Sequence, residues 1–510
     1  MTMAATTFAS DPRSMLQSIH AGFSGVDTPA YRTAVGDLSF AKLHDASAAL
    51  AERLMTMDAG QNRHPVLIWG HKDLPYMVAY WACLLAGMPL VPVEPETPVD
   101  RLCQIAEVCQ ADIILDATID APFIDILSVP GLPVLDIDVN AVPLASVTVP
   151  DFAADDVAYI MFSSGTLGQP KGIQVTYTNL ADFVDWLPEL LPETDHAGVT
   201  GNIRHCFDVS LFELWMSWTR RAPITALDHA DFANSTGYIA RLANDGVTLS
   251  VSTPSITRLL LKNKRYNGDV LPQMRAFVFC GEPLTKAIVA ELFTRFPGCR
   301  VVNTYGPTEC TVAVTSVDIT AAHLTAEEDI PIGTPRHGVM VYTANDTSCG
   351  EMMIAGKCVA KGYFGLPEKQ AHAFPFTQTY RSGDWAAVDA QGQWTFQGRM
   401  DREVKIQGVR IDLNDIEAHI RKQEGVEDVV VEPYMLRGEP RALNAFVIGD
   451  ASDETLASLA QTLASELPPY LVPRFWYSGF VTVLNNNSKI DRSHLHDAVK
   501  TAAFKHVHTA

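Results

Sequence analysis

The sequence YIMFSSGTLGQPKG, from Tyr159 to Gly172, joins an apolar run typical of a buried β-strand to a loop of glycines, hydroxyl-bearing residues and one lysine. Glycine permits backbone conformations closed to other residues, so the amides of such a loop can approach an anion closely. Lys171 adds positive charge. The loop predicts a phosphate site, although a Gly-Ser turn between a strand and a helix often has the same composition. A Walker loop is excluded, because glycine follows the lysine where a Walker loop has Ser or Thr.

Strand-like and helix-like segments alternate on both sides of this loop. The strand-like runs are short and rich in Val, Ile and Leu, which predicts βαβ units around largely parallel sheets. An apolar stretch at residues 77–93 is interrupted by Gly and Pro, so we expect a buried helix that leads into a buried strand. The strand-like runs lie at residues 65–70, 111–116, 158–162, 274–279 and 300–306.

The pattern changes after about residue 330, where turn residues separate shorter strands, as in an antiparallel sheet. From Asp401 onward, strand runs at residues 404–411, 428–432 and 443–448 mix with helical segments near 414–423 and 453–467. The sequence predicts an α/β protein whose large N-terminal domain, residues 1–400, has βαβ-type sheets with helices plus a smaller antiparallel β subdomain. A small mobile α+β C-terminal domain, residues 401–510, is expected to follow.

The composition limits the classes of function. The 510 residues exceed what one hydrophobic core usually organises, and 47% hydrophobic with 19% charged residues is typical of a globular protein. A formal net charge of -21 argues against nucleic-acid binding, which needs an excess of Lys and Arg. Nine cysteines without a CxxC pair predict a reduced protein without a structural zinc site, and the N-terminal residues lack a signal-peptide pattern. We therefore expect a cytoplasmic protein without membrane insertion.

Four further motifs follow in order: NTYGPTE at residues 303–309, YRSGDW at 380–385, GRMDREVKIQGVRIDLNDIE at 398–417 and NNNSKIDR at 485–492. Each alone is ordinary, since Gly-Pro turns, SGD loops, charged hairpins and solvated lysines are common. Two more segments, at residues 84–102 and 350–365, also match. With the glycine-rich loop, these ordered motifs resemble the adenylate-forming superfamily, which includes acyl-CoA synthetases, luciferases and the adenylation domains of peptide synthetases.

The resemblance implies ATP and Mg2+ as cofactors and gives roles to single residues. Tyr305 would stack on adenine, and Asp384 would accept both ribose hydroxyl groups. Thr308 would bond the α-phosphate, and Glu309 would hold the magnesium ion, so both are predicted to be catalytic. The implied ATP-binding residues are Ser163, Ser164, Gly165, Thr166, Gly168, Lys171, Gly281, Asn303, Thr304, Tyr305, Asp384, Arg399 and Lys489.

The C-terminal domain is implied to act in both halves of the reaction. Lys489 aligns with the catalytic lysine of the superfamily, whose ammonium group bridges the attacking carboxylate and the α-phosphate. The superfamily usually has glycine where this chain has Ser488. Asp401 would be the hinge about which the small domain turns. The loop with Lys405 and Gly408 would then face the active site in the second half-reaction.

The segment FDVSLFELW, residues 207–215, has the form found in the amino-acid branch of the superfamily, which implies that Asp208 binds the α-ammonium group of the substrate. A buried carboxylate would reject acids that lack the amine, because an unpaired buried charge is costly. From the local sequence alone, Asp208 is equally well a helix N-cap. The implied pocket suits a small, uncharged side chain. Its residues are Asp208, Val209, Phe212, Val251, Val278, Cys280, Thr304, Val312 and Ala313.

Contiguous stretches at residues 252–255, 279–284 and 303–320 are similar to the D-alanine:D-alanyl carrier protein ligases, which favours D-alanine as the substrate. The region around Asp208 looks more like a peptide-synthetase domain, so glycine, L-alanine and serine stay open. The implied reaction is formation of an aminoacyl-AMP and transfer of the aminoacyl group to a phosphopantetheine thiol. No carrier motif follows Lys489, so we expect a discrete, acidic carrier protein as the acceptor.

Two other functions stay open. An acyl-CoA or aryl-acid ligase would share the fold, but such enzymes normally lack an aspartate at the position of Asp208. A nucleotide-binding regulator without catalysis is disfavoured by the presence of Lys171, Glu309, Asp384 and Lys489.

Overall fold

A computed structural model describes residues 8–57, 62–119, 132–144, 148–163, 170–191, 198–227, 234–400, 402–423, 426, 428–436, 439–448, 451–480 and 495–508. The chain divides into two compact units. The first consists of Met1–Pro95, Ala106–Phe162 and Gly172–Met400, and the second of Glu96–Ile105, Ser163–Lys171 and Asp401–Ala510. Asp401, the predicted hinge, lies outside the described residues.

The described α-helices are mostly short, and most of them bury one face. An exception is the helix Leu74–Ala86, which is buried on nearly all sides and ends at Gly87, whose φ of 67° is left-handed. This helix confirms the prediction made from the apolar stretch at residues 77–93. The helices are α1 Pro12–Ala21, α2 Phe40–Thr56, α3 Leu74–Ala86, α4 Val99–Cys109, α5 Tyr177–Leu190, α6 Ser210–Arg220, α7 Ser235–Asn244, α8 Pro254–Leu261, α9 Lys286–Arg295, α10 Ala321–Thr325, α11 Pro367–Ala373, α12 Leu413–Arg421, α13 Asp453–Glu466 and α14 Leu495–Thr501.

The described strands include all five predicted from the Val/Ile/Leu-rich runs, as β3, β5, β7, β12 and β13 in the following numbering. The strands are β1 Pro29–Arg32, β2 Asp37–Ser39, β3 Val66–Trp69, β4 Leu90–Val93, β5 Ile113–Asp116, β6 Val134–Asp136, β7 Val157–Ser163, β8 Lys171–Thr176, β9 Gly198–Gly201, β10 Ile224–Ala226, β11 Val247–Ser252, β12 Ala276–Phe279, β13 Arg300–Tyr305, β14 Thr315–Ile319, β15 Thr334–Pro335, β16 Val339–Thr343, β17 Cys349–Gly356, β18 Gly362–Tyr363, β19 Thr379–Val388, β20 Trp394–Arg399, β21 Glu403–Ile406, β22 Val409–Asp412, β23 Asp428–Leu436, β24 Glu439–Ile448, β25 Phe475–Ser478 and β26 Phe504–Val507.

Two large sheets form the body of the first unit. One has the order β15-β14-β13-β12-β11-β9-β10-β1-β2, with parallel strands from β13 to β1 and antiparallel strands at both edges. The other has the order β18-β8-β7-β4-β3-β5-β6, with parallel strands from β7 to β6. Strands β3, β4, β5 and β12 are buried along their whole length, as expected for parallel sheets covered on both faces. The predicted βαβ organisation is confirmed.

A smaller antiparallel sheet, β16-β17-β19-β20, follows in the first unit and confirms the antiparallel β subdomain. The second unit contains the hairpin β21-β22 and the mixed sheet β23-β24-β25-β26, together with α12 and α13. The α/β fold class is therefore confirmed. Among the described residues, every helix is too short or too polar to span a bilayer.

The strand-like run at residues 404–411 forms two antiparallel strands, β21 and β22, which is the charged hairpin expected from the motif at residues 398–417. The chain reverses at Gln407 and Gly408, whose φ angles of 52° and 84° are both positive. Positive φ at two successive residues is the geometry of a tight hairpin turn, for which glycine at the second position is well suited.

Candidate active site

A buried chain of polar groups links the end of β13 to the antiparallel sheet. The hydroxyl group of Tyr305 donates to Oδ2 of Asp384, and Nη1 of Arg399 donates to Oδ1 of the same carboxylate at 2.6 Å. Asp384 and Arg399 are register partners on β19 and β20, so the sheet itself aligns them. Burial and then the charge of Asp384 raise the pKa of Tyr305 well above its usual value, so the phenol stays a neutral donor.

Asp384 keeps hydrogen-bond acceptor capacity after these contacts. A carboxylate offers about four lone-pair sites, and the hydrogen bonds from Tyr305 and Arg399 use two of them. Ser382 fixes the backbone beside it, since its hydroxyl group accepts the N–H of Asp384 at 3.0 Å and donates to the carbonyl oxygen of Met352 at 2.7 Å. The site is therefore a buried, pre-oriented acceptor of the kind that a sugar diol requires.

Glu309 lies four residues after the end of β13, in a short 3-10 helix at Thr308–Cys310. It is fully buried, and its Oε1 accepts a hydrogen bond from the hydroxyl group of Tyr363 at 2.9 Å. The described residues contain no cluster of three or more His, Cys, Asp or Glu side chains that could hold a metal ion. A single carboxylate suits Mg2+, which usually keeps several waters and takes most other ligands from substrate phosphates.

The loop between β13 and β14 turns back on itself at Gly306. A Cβ at this position would lie 2.5 Å from Cα of Ala313 and 2.7 Å from the carbonyl oxygen of Val312. Thr311 and Val312 have left-handed φ angles of 54° and 71°, which bring the chain back toward Tyr305. This close return places Val312 and Ala313, two predicted pocket residues, beside the end of β13.

The residues predicted for the substrate pocket come from five segments of the first unit, at positions 208–212, 251, 278–280, 304 and 312–313. Val251 and Val278 are register partners on β11 and β12, and Sγ of Cys280 lies 3.8 Å from the carbonyl oxygen of Val312. Apart from Asp208 and Thr304, the residues predicted for the pocket all belong to one buried hydrophobic cluster. Thr304 is also buried, and its hydroxyl group donates to the carbonyl oxygen of Phe279 at 2.8 Å.

Asp208 lies between β9 and α6 and is 9% exposed. The N-cap of α6 is Val209, so Asp208 is not the capping residue. Burial and then the charge of Asp208 raise the pKa of Tyr159, on β7, well above its usual value. The charge of Asp208 therefore acts on a residue of β7, the strand that leads into the glycine-rich loop.

Several predicted residues are described only in part or not at all. Lys171 is buried at the start of β8, and the backbone of Ser163 ends β7. Gly281, with a φ of 94°, follows β12, and Asn303 donates to the carbonyl oxygen of Pro331 at 2.8 Å. Lys405 lies on β21 of the second unit. The residues outside the described ranges are Ser164, Gly165, Thr166, Gly168, Asp401, Ser488 and Lys489.

Two groups of residues at the site were missed from the sequence. Tyr363 donates to Glu309, and Ser382 accepts hydrogen bonds from Asp384 and Arg399. Both lie within matched motifs, at residues 350–365 and 380–385, but the resemblance gave neither of them a role. Glu213 is different, because an acidic residue in the otherwise apolar helix segment SLFELWM is itself a signal of a buried polar contact.

Comparisons with known proteins agree over nearly the whole chain. A family model for AMP-binding enzymes matches residues 21–364. A D-alanine--D-alanyl carrier protein ligase of Bacillus velezensis is 30% identical over 500 residues, which cover 92% of this chain and 96% of the relative. The ligase of the same name from Listeria monocytogenes serovar 1/2a is 31% identical, with 93% and 96% covered.

Solved structures share the fold. The Vibrio cholerae adenylation domain AlmE, in complex with glycyl-adenosine-5'-phosphate, has a TM-score of 0.82 at 22% identity and covers 98% of this chain and 99% of its own. Holo-PA1221, an NRPS protein containing adenylation and PCP domains, has a TM-score of 0.81 at 24% identity, with 96% and 85% covered. With a family model over residues 21–364 and relatives at 30% identity over most of their length, the chain belongs to the AMP-binding enzyme family.

Proposed function

We propose that this protein is an amino acid adenylating ligase that activates a small amino acid, with D-alanine favoured, and transfers it to a carrier protein. Activation consumes ATP and yields an aminoacyl-AMP and pyrophosphate. The acceptor is the phosphopantetheine thiol of a separate carrier protein. The proposal rests on Asp208, a buried carboxylate that precedes Val209, one of the predicted pocket residues in the buried hydrophobic cluster, in a chain 30% identical over 92% of its length to a D-alanine--D-alanyl carrier protein ligase.

Charge selects the class of substrate. Asp208 carries the single formal charge among the residues of the predicted pocket, and it would pair with the α-ammonium group of an amino acid. A fatty or aromatic acid has no cation for this buried carboxylate, so binding it would cost the desolvation of Asp208 without compensation. The remaining pocket residues are apolar or neutral, which favours a small side chain without charge.

The nucleotide would be held by the groups around β13. Asp384 would accept the ribose hydroxyl groups, Tyr305 would lie against adenine, and Thr308 would bond the α-phosphate. Glu309 would contribute the protein ligand of a magnesium ion, which neutralises phosphate charge when it is bound. The loop with Lys171 would bind the phosphates.

The reaction has two chemical steps. A carboxylate oxygen of the amino acid attacks the α-phosphorus of ATP, and the bond from that phosphorus to the bridging oxygen of pyrophosphate breaks. Asp208 holds the ammonium end of the zwitterion, so the carboxylate is the end left to react, and Lys489 bridges it to the α-phosphate. The thiol sulfur then attacks the carbonyl carbon, the carbon–oxygen bond to AMP breaks, and the thiol proton passes to solvent. The hinge at Asp401 would separate the two steps in time.

A second candidate is the same reaction with glycine, L-alanine or serine. Phe212, a predicted pocket residue, has its ring edge-to-face on that of Phe183, at a centroid distance of 5.1 Å, and its centroid lies 6.1 Å from that of Trp186. A ring fixed by two aromatic neighbours cannot swing away to enlarge the pocket. This favours small substrates as a group without separating D-alanine from the others.

ATP-pyrophosphate exchange across a panel of D- and L-amino acids, fatty acids and benzoic acids tests the proposal. We expect D-alanine to support the fastest exchange and Asp208→Ala to lower it by roughly 100-fold or more, because the ammonium group loses its buried partner. Asp318→Asn removes an exposed carboxylate that pairs with Arg300 at 2.8 Å and should leave exchange unchanged.

Other outcomes are equally specific. Faster exchange with glycine, L-alanine or serine would select the second candidate. Exchange with fatty or benzoic acids but with no amino acid would reverse the choice of substrate class. Radiolabelled amino acid should appear on a carrier protein only after phosphopantetheine has been attached, and labelling of the unmodified carrier would contradict the thiol as acceptor.

A further inference from the structure

A buried carboxylate on α6 has no role in the reaction proposed above. Glu213 is fully buried, and its two oxygens accept backbone N–H groups from neighbouring residues of another segment. Oε1 accepts the N–H of Asn202 at 2.5 Å, and Oε2 accepts the N–H of Ile203 at 3.2 Å. A buried carboxylate is costly unless it is paired in this way. Glu213 therefore binds the chain directly after β9.

Lys72 completes this contact from a third part of the chain, the turn between β3 and α3. Its Nζ lies 4.0 Å from Oε2 of Glu213 and donates to the carbonyl oxygen of Ile203. The two side chains are only 2% and 1% exposed. We name Glu213, Lys72 and the backbone of Asn202 and Ile203 the Glu213–Lys72 clasp.

The clasp closes the segment that carries Asp208. This segment runs from Asn202 to the start of α6, and the hydrogen bond between Asn202 and Glu213 joins residues 11 apart in sequence. One end of the segment is thus tied to the clasp, and the other end continues into the helix that bears Glu213. A closed segment of this length has few alternative conformations, so the place of Asp208 depends on the tie.

The same residues reach the wall of the pocket. The side-chain amide of Asn202 donates to the carbonyl oxygen of Val251 at 2.8 Å, and its Oδ1 accepts from the hydroxyl group of Tyr238 at 2.7 Å. Thr200, just before the clasp, accepts the N–H of Val251 at 3.0 Å. These hydrogen bonds therefore connect the segment that carries Asp208 to Val251 on β11.

We propose that Glu213 and Lys72 are positioning residues for the amine-binding carboxylate, which hold Asp208 at a set place relative to the pocket wall. The inference rests on the function proposed above for Asp208. Neither residue touches the substrate. Both act through the backbone of Asn202 and Ile203.

Burial and the partners of Glu213 act in opposite directions on its pKa. Burial raises the pKa of Glu213 to about 8, while Lys72 and the amides of Asn202 and Ile203 act in the opposite direction because they favour the carboxylate. Removing Lys72 alone would leave Glu213 without its cation, and removing Glu213 alone would leave a buried ammonium group. Both substitutions should therefore weaken the placement of Asp208.

The test uses Glu213→Gln and Lys72→Met in the full chain, with KM for the amino acid and KM for ATP measured separately by ATP-pyrophosphate exchange. We expect KM for the amino acid to rise roughly 10- to 100-fold while KM for ATP stays nearly constant, since only Asp208 is displaced. Glu291→Gln is the matched control, because Glu291 is also a helical carboxylate paired with a cation, Arg295 at 2.6 Å, outside the pocket.

Hydrogen exchange gives a readout that does not depend on activity. The amides of Asn202 and Ile203 should exchange slowly in the wild type and faster in both variants, because their acceptor is lost or weakened. Should a single variant fail to fold, the double variant Lys72→Met/Glu213→Leu removes both buried charges and is expected to fold. It should show the same rise in KM for the amino acid.

Failure of the positioning role and failure of the proposed function would give different results. Unchanged KM for the amino acid in the folded variants, in an enzyme whose wild type exchanges with amino acids, overturns the positioning role alone. An equal rise in both KM values also overturns it, because this indicates a general structural role. A wild type without any amino-acid-dependent exchange overturns the proposed function, whatever the amide protection at Asn202 and Ile203.

Discussion

The predicted site depends on single hydrogen bonds from residues that carry out no chemistry themselves. The hydroxyl group of Tyr363 donates to Oε1 of Glu309 at 2.9 Å, and both side chains are buried. Gln370 in turn accepts the backbone N–H of Tyr363 at 2.8 Å, which fixes the strand from which the phenol extends. A carboxylate held in this way presents its oxygens in one orientation, and such supporting contacts commonly tune metal affinity.

We expect Tyr363→Phe to raise the Mg2+ concentration needed for half-maximal exchange by roughly tenfold, because Glu309 loses the donor that orients it. A magnesium titration of ATP-pyrophosphate exchange measures this. Tyr342→Phe removes the hydroxyl group of a tyrosine that is 39% exposed and serves as the control. An unchanged magnesium requirement in Tyr363→Phe would remove the support for Glu309 as the metal ligand.

At the scale of elements, the turn that joins β13 to β14 brings the nucleotide residues and the pocket residues together. The N–H of Val314 donates to the carbonyl oxygen of Tyr305 at 2.7 Å, so the chain returns to the strand end it has just left. The return is possible because Gly306 has no Cβ to meet the backbone of Ala313. A Cβ at position 306 would meet backbone atoms rather than a flexible side chain, and these atoms cannot move aside.

Gly306→Ala should therefore lower the free energy of unfolding of the first unit by about 1–3 kcal/mol and weaken ATP binding, since the turn must open to accommodate the methyl group. Thermal unfolding and nucleotide titration measure the two effects. Gly36→Ala is the matched control, because a Cβ there would have its nearest neighbour, Cδ1 of Leu74, at 3.8 Å. Equal stability of both variants would contradict the steric account of the turn.

At the scale of the whole molecule, the residues on either side of position 401 are each bound firmly within their own unit. In the first unit the N–H of Met400 donates to the carbonyl oxygen of Gly383 at 2.8 Å. In the second, the guanidinium group of Arg402 contacts Glu417 at 2.5 Å and Asn414 at 3.0 Å. The hinge proposed at Asp401, between these two bound residues, stays a prediction.

Asp401→Pro is predicted to slow transfer to the carrier protein by at least roughly tenfold while amino-acid-dependent exchange is largely kept, because proline fixes φ at the proposed hinge. The two half-reactions are measured separately, by exchange and by labelling of the carrier. Asp401→Ala removes the carboxylate but leaves the backbone free. It therefore separates the effect of losing the carboxylate from the effect of fixing φ. If Asp401→Pro slowed neither step, the hinge would have to lie elsewhere.

Local patterns in the chain were sufficient for the order and type of most elements. Apolar runs such as residues 274–279 and turn residues such as those near Gly306 act on their immediate neighbours, so their effect can be read without knowing the fold. The run at residues 404–411 reads as strand throughout in hydrophobicity, and only Gly408 marks the turn between β21 and β22, because a turn of two residues with positive φ leaves little trace in hydrophobicity. The grouping of the pocket residues came from resemblance to a family rather than from periodicity.

Three properties follow from the order of residues alone: which segments are strands or helices, the apolar character of the predicted pocket residues, and membership of an adenylate-forming family. These properties depend on short segments and on the order in which the segments follow one another. Three pairings became visible only in the folded chain. They join Tyr305 to Asp384, 79 residues away, Glu309 to Tyr363, 54 residues away, and Glu213 to Lys72. Such contacts are set by the packing of whole sheets and helices. A buried polar group finds its partner in space, and one sequence does not record distances between segments that are remote along it.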